Sequence, residues 1–360
     1  MRQPAPGSEN VPFPAVPAAD LEQLAEREKR RSAGYRRLNL ILAIGVVIAI
    51  AFVIRTLVPS ATAGIEGAAR DFFTLAISVI VESLPFVFLG ILVSILVQVW
   101  LPPDFMLRWL PSRPLLRRMV LSLLGMLMPV CECGNVPTTR GLMLKGLSVG
   151  ESMTFLFAAP ILNPITIITT QQAFGWDSGI LVWRVAGGFM IANLIGWIYS
   201  RNREPHSLLA PRFEAVCKAD DHHHSPHGKL RQSVELFQRE ANAMMPALFI
   251  GAGLAGLIQV GVPRNVLVAL GGDPLWSVLA LMMLAFIVSL CSTVDAFFIL
   301  SFGATFLPGS IVAFLVFGPM IDVKMLALLR TTFTARTLLQ LTGLIALCAA
   351  VIGWGVNLAS

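Results

Sequence analysis

An apolar run of the chain ends in the segment Cys131–Pro137, which reads Cys-Glu-Cys-Gly-Asn-Val-Pro. Proline removes a backbone amide donor and glycine tolerates unusual dihedral angles, so Gly134 and Pro137 predict a break in a helix. In lipid, the backbone groups that a break frees are tolerated only where they line a cavity or pack on protein. Two thiols and a carboxylate beside such a break therefore predict a transport site rather than a detail of packing.

The composition is that of a membrane protein. Hydrophobic residues make up 56% of the 360 residues and charged residues 13%, whereas a soluble domain carries about 25% charged residues. The apolar runs have the length of membrane-spanning helices, so we predict an all-α polytopic membrane protein. The sequence contains no nucleophile–base pair, phosphate-binding glycine loop or zincin motif. We therefore expect neither an enzyme nor a cofactor.

The chain repeats itself. Three pairs of anchors keep the same order: Pro85–Gly90 with Pro246–Gly251, Cys131 with Cys291, and Asn163 with Asp322. The prediction is two related membrane repeats, 72–200 and 233–357. The remaining segments are an N-terminal arm (1–37), an anchor helix (38–58) and a His-rich linker (201–232).

Basic residues predict the orientation. The net charge of +6 resides in a few segments, where it reports topology rather than binding of nucleic acid. The basic N-terminal arm and the linker are both expected in the cytoplasm, so the first repeat begins outside and the second begins inside. This predicts inverted-topology repeats with a substrate site near the membrane midplane. The region 131–145 is either a re-entrant hairpin or two full spans.

The inverted symmetry is expected to bring the breaks of the two repeats together. The residues predicted to bind the substrate are Cys131, Glu132, Cys133, Cys291 and Asp295, with Asn163 and Asp322 as a second pair. The residues predicted to break helices are Gly134, Pro137, Pro160, Pro164 and Pro319. Thiolates select soft species, such as a trivalent metalloid or a soft metal ion.

Other interpretations stay open for single residues. A cysteine in an apolar helix often serves packing alone, and we expect this of Cys348. Asp322 and Lys324 are candidates for pairing with each other or for reaching the membrane interface. Glu82 and Arg184 are candidates for an intramembrane ion pair.

A histidine tract lies in the linker. Its candidate metal ligands are His222, His223, His224 and His227, because His-rich tracts bind zinc, nickel or copper. The alternative is a solvated linker, since the tract has no apolar residues to fold on.

Three segments resemble a known family: Pro129–Pro137, Ala158–Pro164 and Cys291–Phe297. They are similar to the predicted-permease family that includes the ArsP-type organoarsenical efflux permeases, and the resemblance covers residues 70–357. It implies a multi-pass permease of the bacterial inner membrane. Some members export trivalent organoarsenicals such as methylarsenite. The positions of Cys131, Cys133 and Cys291 match the family motif.

We therefore expect a permease that exports a trivalent organoarsenical or a similar thiophilic small molecule. Because thiols lose their protons on binding, the carboxyls of Glu132, Asp295 and Asp322 are candidates for proton coupling. One alternative is a permease for another solute, namely a metal ion, a sulfur compound or an organic anion. Another is a membrane subunit that docks cytoplasmic partners. We expect the chain to be embedded in the lipid bilayer. The sequence is also compatible with a homo-oligomer.

Overall fold

The computed structural model describes residues 62–100, 110–127, 131–220, 229–261, 273, 275–303 and 305–359. The expected arm (1–37), the anchor helix (38–58) and the histidines His222, His223, His224 and His227 lie outside the described residues. The chain divides after Gly67 into two compact units. The second unit, Ala68–Ser360, holds nearly all of the described residues.

The described residues form helices and no strand, with one isolated bridge between Leu209 and Phe333. In chain order the helices are α1 (Thr62–Ile95), α2 (Pro114–Leu124), α3 (Glu132–Leu144), α4 (Val149–Leu162), α5 (Pro164–Phe174), α6 (Ile180–Ser200), α7 (Pro211–Asp220), α8 (Lys229–Gly261), α9 (Trp276–Val288), α10 (Asp295–Leu300), α11 (Pro308–Met320), α12 (Val323–Leu329) and α13 (Ala335–Ala359). Among them are six stretches long and apolar enough to cross a membrane. The prediction of an all-α polytopic membrane protein is confirmed.

Two of these six stretches are interrupted. Val149–Phe174 consists of α4 and α5, and Pro308–Leu329 consists of α11 and α12. The first interruption is Asn163, whose backbone is extended (φ −61°, ψ 131°), because the residue before a proline is disfavoured in the helical region. Pro164 then begins α5, where a missing amide costs nothing.

Three of the predicted break positions are displaced from the actual breaks. Pro160 lies in the last turn of α4 and Pro319 in the last turn of α11, each still within its helix. The second interruption follows at Ile321 and Asp322, which are both extended. Pro137 lies inside α3, which begins at Glu132. A proline removes one intrahelical bond but does not by itself end a helix when packing holds the turn.

Gly134 also lies inside α3, so the prediction that it breaks a helix is wrong. Its role is close packing: a Cβ built on Gly90 of α1 would overlap the carbonyl of Gly134. Thr138 on the next turn donates a hydrogen bond to the Gly90 carbonyl (3.3 Å). The two helices therefore meet backbone to backbone, as small residues allow in membranes.

The short helices lie between residues 72–200 and residues 233–357, the two segments predicted from the sequence to be related. We call these ranges the first and the second repeat, by that prediction alone. The helix α3 packs against α4 of its own repeat and against α12 of the other, and α5 packs against α10. Other contacts form within each range: α4 packs against α6, and α11 packs against α13. As a result the ends of the short helices meet in the interior of the bundle.

Part of the polar linker is packed on the bundle. Ala210 N donates to Thr332 O (2.8 Å), and Thr334 N donates to Leu208 O (3.0 Å). Phe213 of α7 is fully buried and lies under the Arg140 guanidinium, 4.1 Å from the ring centroid. The described start of the linker is thus fixed to the second repeat rather than loose.

We predict that Gly90→Leu lowers the yield and melting temperature of the purified protein, because the backbone of Gly134 leaves no room for a side chain. Overpacking of this kind costs about 1–3 kcal/mol. The matched control is Gly253→Leu, since nothing lies within 4 Å of a Cβ at Gly253. Equal melting temperatures of the two variants would show that the α1–α3 contact is not tight.

Candidate functional site

The start of α3 brings two thiols and a carboxylate together. Cys131 caps the helix in an extended conformation (φ −73°, ψ 174°), and its carbonyl accepts from Gly134 N (3.1 Å) and Asn135 N (3.2 Å). Because Cys131 lies outside the helix, its side chain is not forced away from that of Cys133. The ligand atoms of Cys131, Glu132 and Cys133 all lie within 4.8 Å of one another.

A third thiol comes from the second repeat. After α9 the chain turns at Ser289, a left-handed residue (φ 53°, ψ 46°), and reaches Cys291. The Cys291 carbonyl accepts from Val294 N (3.0 Å) and Asp295 N (3.1 Å), the same local pattern as at Cys131. Cys291 Sγ lies 3.7 Å from Glu132 Oε2, the carboxylate between Cys131 and Cys133 in the sequence. All three cysteines are at most 2% exposed.

Glu132 joins the two repeats at this point. Its Oε2 accepts from Ser292 N (3.4 Å) and Ser292 Oγ (3.3 Å), and it lies 3.7 Å from Cys291 Sγ. Its Oε1 lies 3.3 Å from Lys324 Nζ. A buried carboxylate is tolerated only when it is paired and hydrogen-bonded, and both conditions are met here by the second repeat.

Lys324 is the main residue that the sequence prediction left out of the site. It is 1% exposed, so it does not reach the interface, and its ammonium group bonds Glu132 and the Ser289 carbonyl (3.5 Å) rather than Asp322. Its position in an apolar run was a signal of function. Nothing in the local sequence, however, indicated a partner in the other repeat.

Asp295 has a partner that the sequence did not predict. Arg184 of α6 donates to both of its oxygens, at 3.0 Å and 2.6 Å. Arg184 also donates to Thr170 Oγ1 (2.8 Å) and to the Ser292 carbonyl (3.3 Å). The proposed Glu82–Arg184 pair is therefore wrong. Ser292 contacts both ion pairs, so they form one buried network.

Asn163 and Asp322 cap the half-helices that follow the two interruptions. Asn163 Oδ1 accepts from Ile165 N (2.9 Å), and Asp322 Oδ1 accepts from Met325 N (2.5 Å). The Lys324 amide also faces the Asp322 carboxylate. Within the described part of the chain, no donor lies within hydrogen-bond distance of Asp322 Oδ2.

The cluster of Cys131, Cys133, Cys291 and Glu132, which we call the thiol site, offers three sulfur donors and one carboxylate in a buried setting. Sulfur donors suit soft metal ions and trivalent metalloids. The donors come from both repeats, so a change in the contact between the repeats alters the thiol site directly.

We predict that Lys324→Met destabilises the protein by about 3–5 kcal/mol, because it leaves the Glu132 carboxylate buried without its cation. The double variant Glu132→Gln/Lys324→Met removes both charges and is expected to recover most of that loss. The measurement is the melting temperature of the protein purified in detergent.

The control for this series is Arg231→Met, which breaks an exposed pair with Glu235 (3.1 Å; 68% and 57% exposed). Exposed pairs contribute little, so no shift is expected. Equal destabilisation in the single and double variants would contradict the assigned pairing.

Comparisons with known proteins place this chain in a family. Residues 68–358 match the model of the family ArsP_1, described as predicted permease. The UPF0718 protein YcgR of Bacillus subtilis is 35% identical over 72% of this chain and 88% of that protein. A protein of Streptococcus mutans, named as a two-component membrane permease complex subunit, is 33% identical over 74% of this chain and 88% of that protein.

The UPF0718 protein YraQ of Escherichia coli is 31% identical over 34% of this chain and 35% of that protein. No solved structure matches the chain. The family model covers nearly all of the second unit, including both predicted repeats and every residue of the thiol site. This chain is a membrane protein that belongs to the predicted-permease family ArsP_1.

Proposed function

We propose that this permease exports trivalent organoarsenicals of the methylarsenite type, or similar thiophilic compounds, from the bacterial cytoplasm through the thiol site. The observation that carries the proposal is that the thiols of Cys131, Cys133 and Cys291 all lie close to the Glu132 carboxylate. A site for a hard cation would offer oxygen donors instead. Methylarsenite binds two sulfurs at a time, and on this proposal transport passes it from one pair of thiols to another, so that loss of one thiol breaks the route.

The binding step balances without an oxidant. Methylarsenite in its dihydroxy form has two As–O bonds, and two cysteine thiols replace both hydroxyls. Two As–S bonds form, two As–O bonds break, and each thiol proton leaves with a hydroxyl as water. Arsenic stays trivalent throughout. Release is the reverse reaction, so the thiol site needs water on the side where the cargo leaves.

The order of elements supports two related repeats around the thiol site. In the first repeat α1 and α2 precede Cys131, followed by α3, α4, the interruption, α5 and α6. In the second repeat α8 and α9 precede Cys291, followed by α10, α11, the interruption, α12 and α13. Opposed orientation of the two series would place the thiol site near the midplane, as in other secondary transporters.

Two ion pairs between the repeats are candidates for gates on either side of the thiol site. Arg140 Nε contacts Glu240 Oε2 (2.9 Å), and Arg140 follows Glu132 on α3 by two turns, about 12 Å along the axis. Arg184–Asp295 lies near the start of α6, whose other end leads into the linker. Both pairs are buried, so on this proposal each pair separates when its side opens.

We predict that Cys131→Ser, Cys133→Ser and Cys291→Ser each raise the accumulation of methylarsenite in an arsenic-sensitive bacterial host. At least two of the three variants should bring accumulation to the level of cells without the permease, since a serine oxygen is not a soft ligand. Accumulation is measured as cell-associated arsenic at matched protein levels.

Cys348→Ser is the matched control, because Cys348 lies outside the thiol site on α13. Its export should equal that of the unaltered protein. Unchanged export in all three site variants would rule out binding by thiolates and favour a different solute.

A second candidate function is that of a membrane subunit with a cytoplasmic partner. It is favoured by the Streptococcus mutans relative, which is named as a complex subunit, and by the packing of α7 on the bundle next to the His-rich segment. The tract His222–His227 would then serve docking or metal-dependent regulation.

Deletion of residues 221–228 separates the two functions. If the chain acts only as a permease, methylarsenite export persists after the deletion. If it is a docking subunit, one protein co-purifies in stoichiometric amount with the full chain and is lost with the deletion. A histidine-to-serine version of the tract tests whether added zinc is needed for that association.

A further inference from the structure

The interruption between α11 and α12 exposes backbone oxygens inside the bundle. The last bond of α11 runs from Ile321 N to Phe317 O (2.9 Å), so the carbonyls of Gly318, Pro319 and Met320 lie beyond the helix ladder. All of these residues are buried. The C-terminal end of a helix carries partial negative charge, and carbonyls freed at such breaks coordinate coupling cations in transporters.

A carboxylate oxygen without a partner lies at the same place. Asp322 is 1% exposed, and no described residue donates to its Oδ2. A buried polar group without a hydrogen bond is costly, and a buried unpaired charge costs more. A proton or a bound cation would remove this cost.

The three acidic residues that are candidates for proton coupling differ in whether a basic group neutralises them. Glu132 is neutralised by Lys324 (3.3 Å) and Asp295 by Arg184 (2.6 Å). Within the described residues, no basic nitrogen lies within ion-pair distance of Asp322. An added cation would displace an internal partner at the first two residues, but it would find an open oxygen at Asp322.

We propose that Asp322 and the carbonyls at the end of α11 bind the monovalent cation, Na⁺ or H⁺, whose gradient drives transport. This inference rests on the proposed transport function. It assigns coupling to a place separate from the thiol site, because methylarsenite binding releases its thiol protons as water and moves no net charge. The corresponding interruption in the first repeat has the uncharged Asn163, so one cation is expected per cycle.

Lys324 connects the proposed cation site at Asp322 with the thiol site. It follows Asp322 by two residues on α12, and its ammonium group bonds Glu132 in the thiol site. The charged groups that act on this region are Lys324 on the same helix, Glu132 from α3 and Glu82 from α1. Asp322 and Glu132 both attract the Lys324 ammonium group. When Asp322 is neutralised, Lys324 interacts mainly with Glu132, and this changes the electrostatic potential around the thiols.

The test uses the full-length protein purified in detergent, without cargo. Its melting temperature is recorded in NaCl against choline chloride at constant ionic strength, and at a series of pH values without sodium. If the cation is Na⁺, sodium raises the melting temperature by about 2–5 °C in a saturable way. If the cation is H⁺, sodium has no effect and the melting temperature rises as the pH falls, because the folded state binds the extra proton.

Asp322→Asn is expected to abolish the response, since it keeps the cap on Met325 N but removes the charge. Asp322→Ser is the second variant, because serine also caps helix starts well and carries no charge. The matched control is Asp273→Asn, because Asp273 caps Leu275 N (2.9 Å) from an exposed position, and it should respond like the unaltered protein.

A response that persists in both Asp322 variants, or no response in the unaltered protein, overturns the proposal. Failure of both variants to fold also contradicts it, because a site that only binds the coupling ion is not needed for folding. The assay contains no arsenical, so its outcome is independent of the export assay with the cysteine variants. A cation response with unchanged export in those variants would reject the thiol cargo and keep the cation site.

Discussion

The Glu132 carboxylate must be neutralised inside a bundle of apolar helices, and most of the interior follows from how this is done. Its charge is matched by Lys324 and its lone pairs by Ser292, both from the second repeat. Replacing Glu132 alone would strand a buried ammonium group, and replacing Lys324 alone would strand a carboxylate. This ion pair therefore fixes the start of α3 against α12, and with it the positions of the thiols.

The turns at the starts of α3 and α10 serve the same arrangement. Because Cys131 and Cys291 each lie just before a helical turn, their side chains are free of the divergence that a helix imposes. The network continues through Ser292 to Arg184 and Asp295. A transporter needs contacts between its moving parts that can be broken and remade, and paired charges between the repeats meet that need better than close-packed apolar side chains.

Local signals predicted much of this site, and partners distant in sequence were the part that they missed. Pro164 restricts its own neighbour, so the sequence predicts the first interruption to within one residue. Pro319 lies two residues before the second interruption, which begins at Ile321. The candidate pairing of Lys324 with Asp322 rests on their closeness in sequence, whereas the actual partner, Glu132, lies on another helix. The prediction for Gly134 is wrong because a glycine is equally compatible with a helix break and with a close helix contact.

Oxidative cross-linking tests most directly whether thiols of the two repeats meet. The chain is prepared with Cys217→Ser and Cys348→Ser and with a protease site in place of residues 221–228, then treated with iodine, cleaved and run on a non-reducing gel. We predict that a fraction of the two halves stays joined, and that Cys291→Ser abolishes this product. Complete separation of the halves when Cys131, Cys133 and Cys291 are all present would contradict the thiol site.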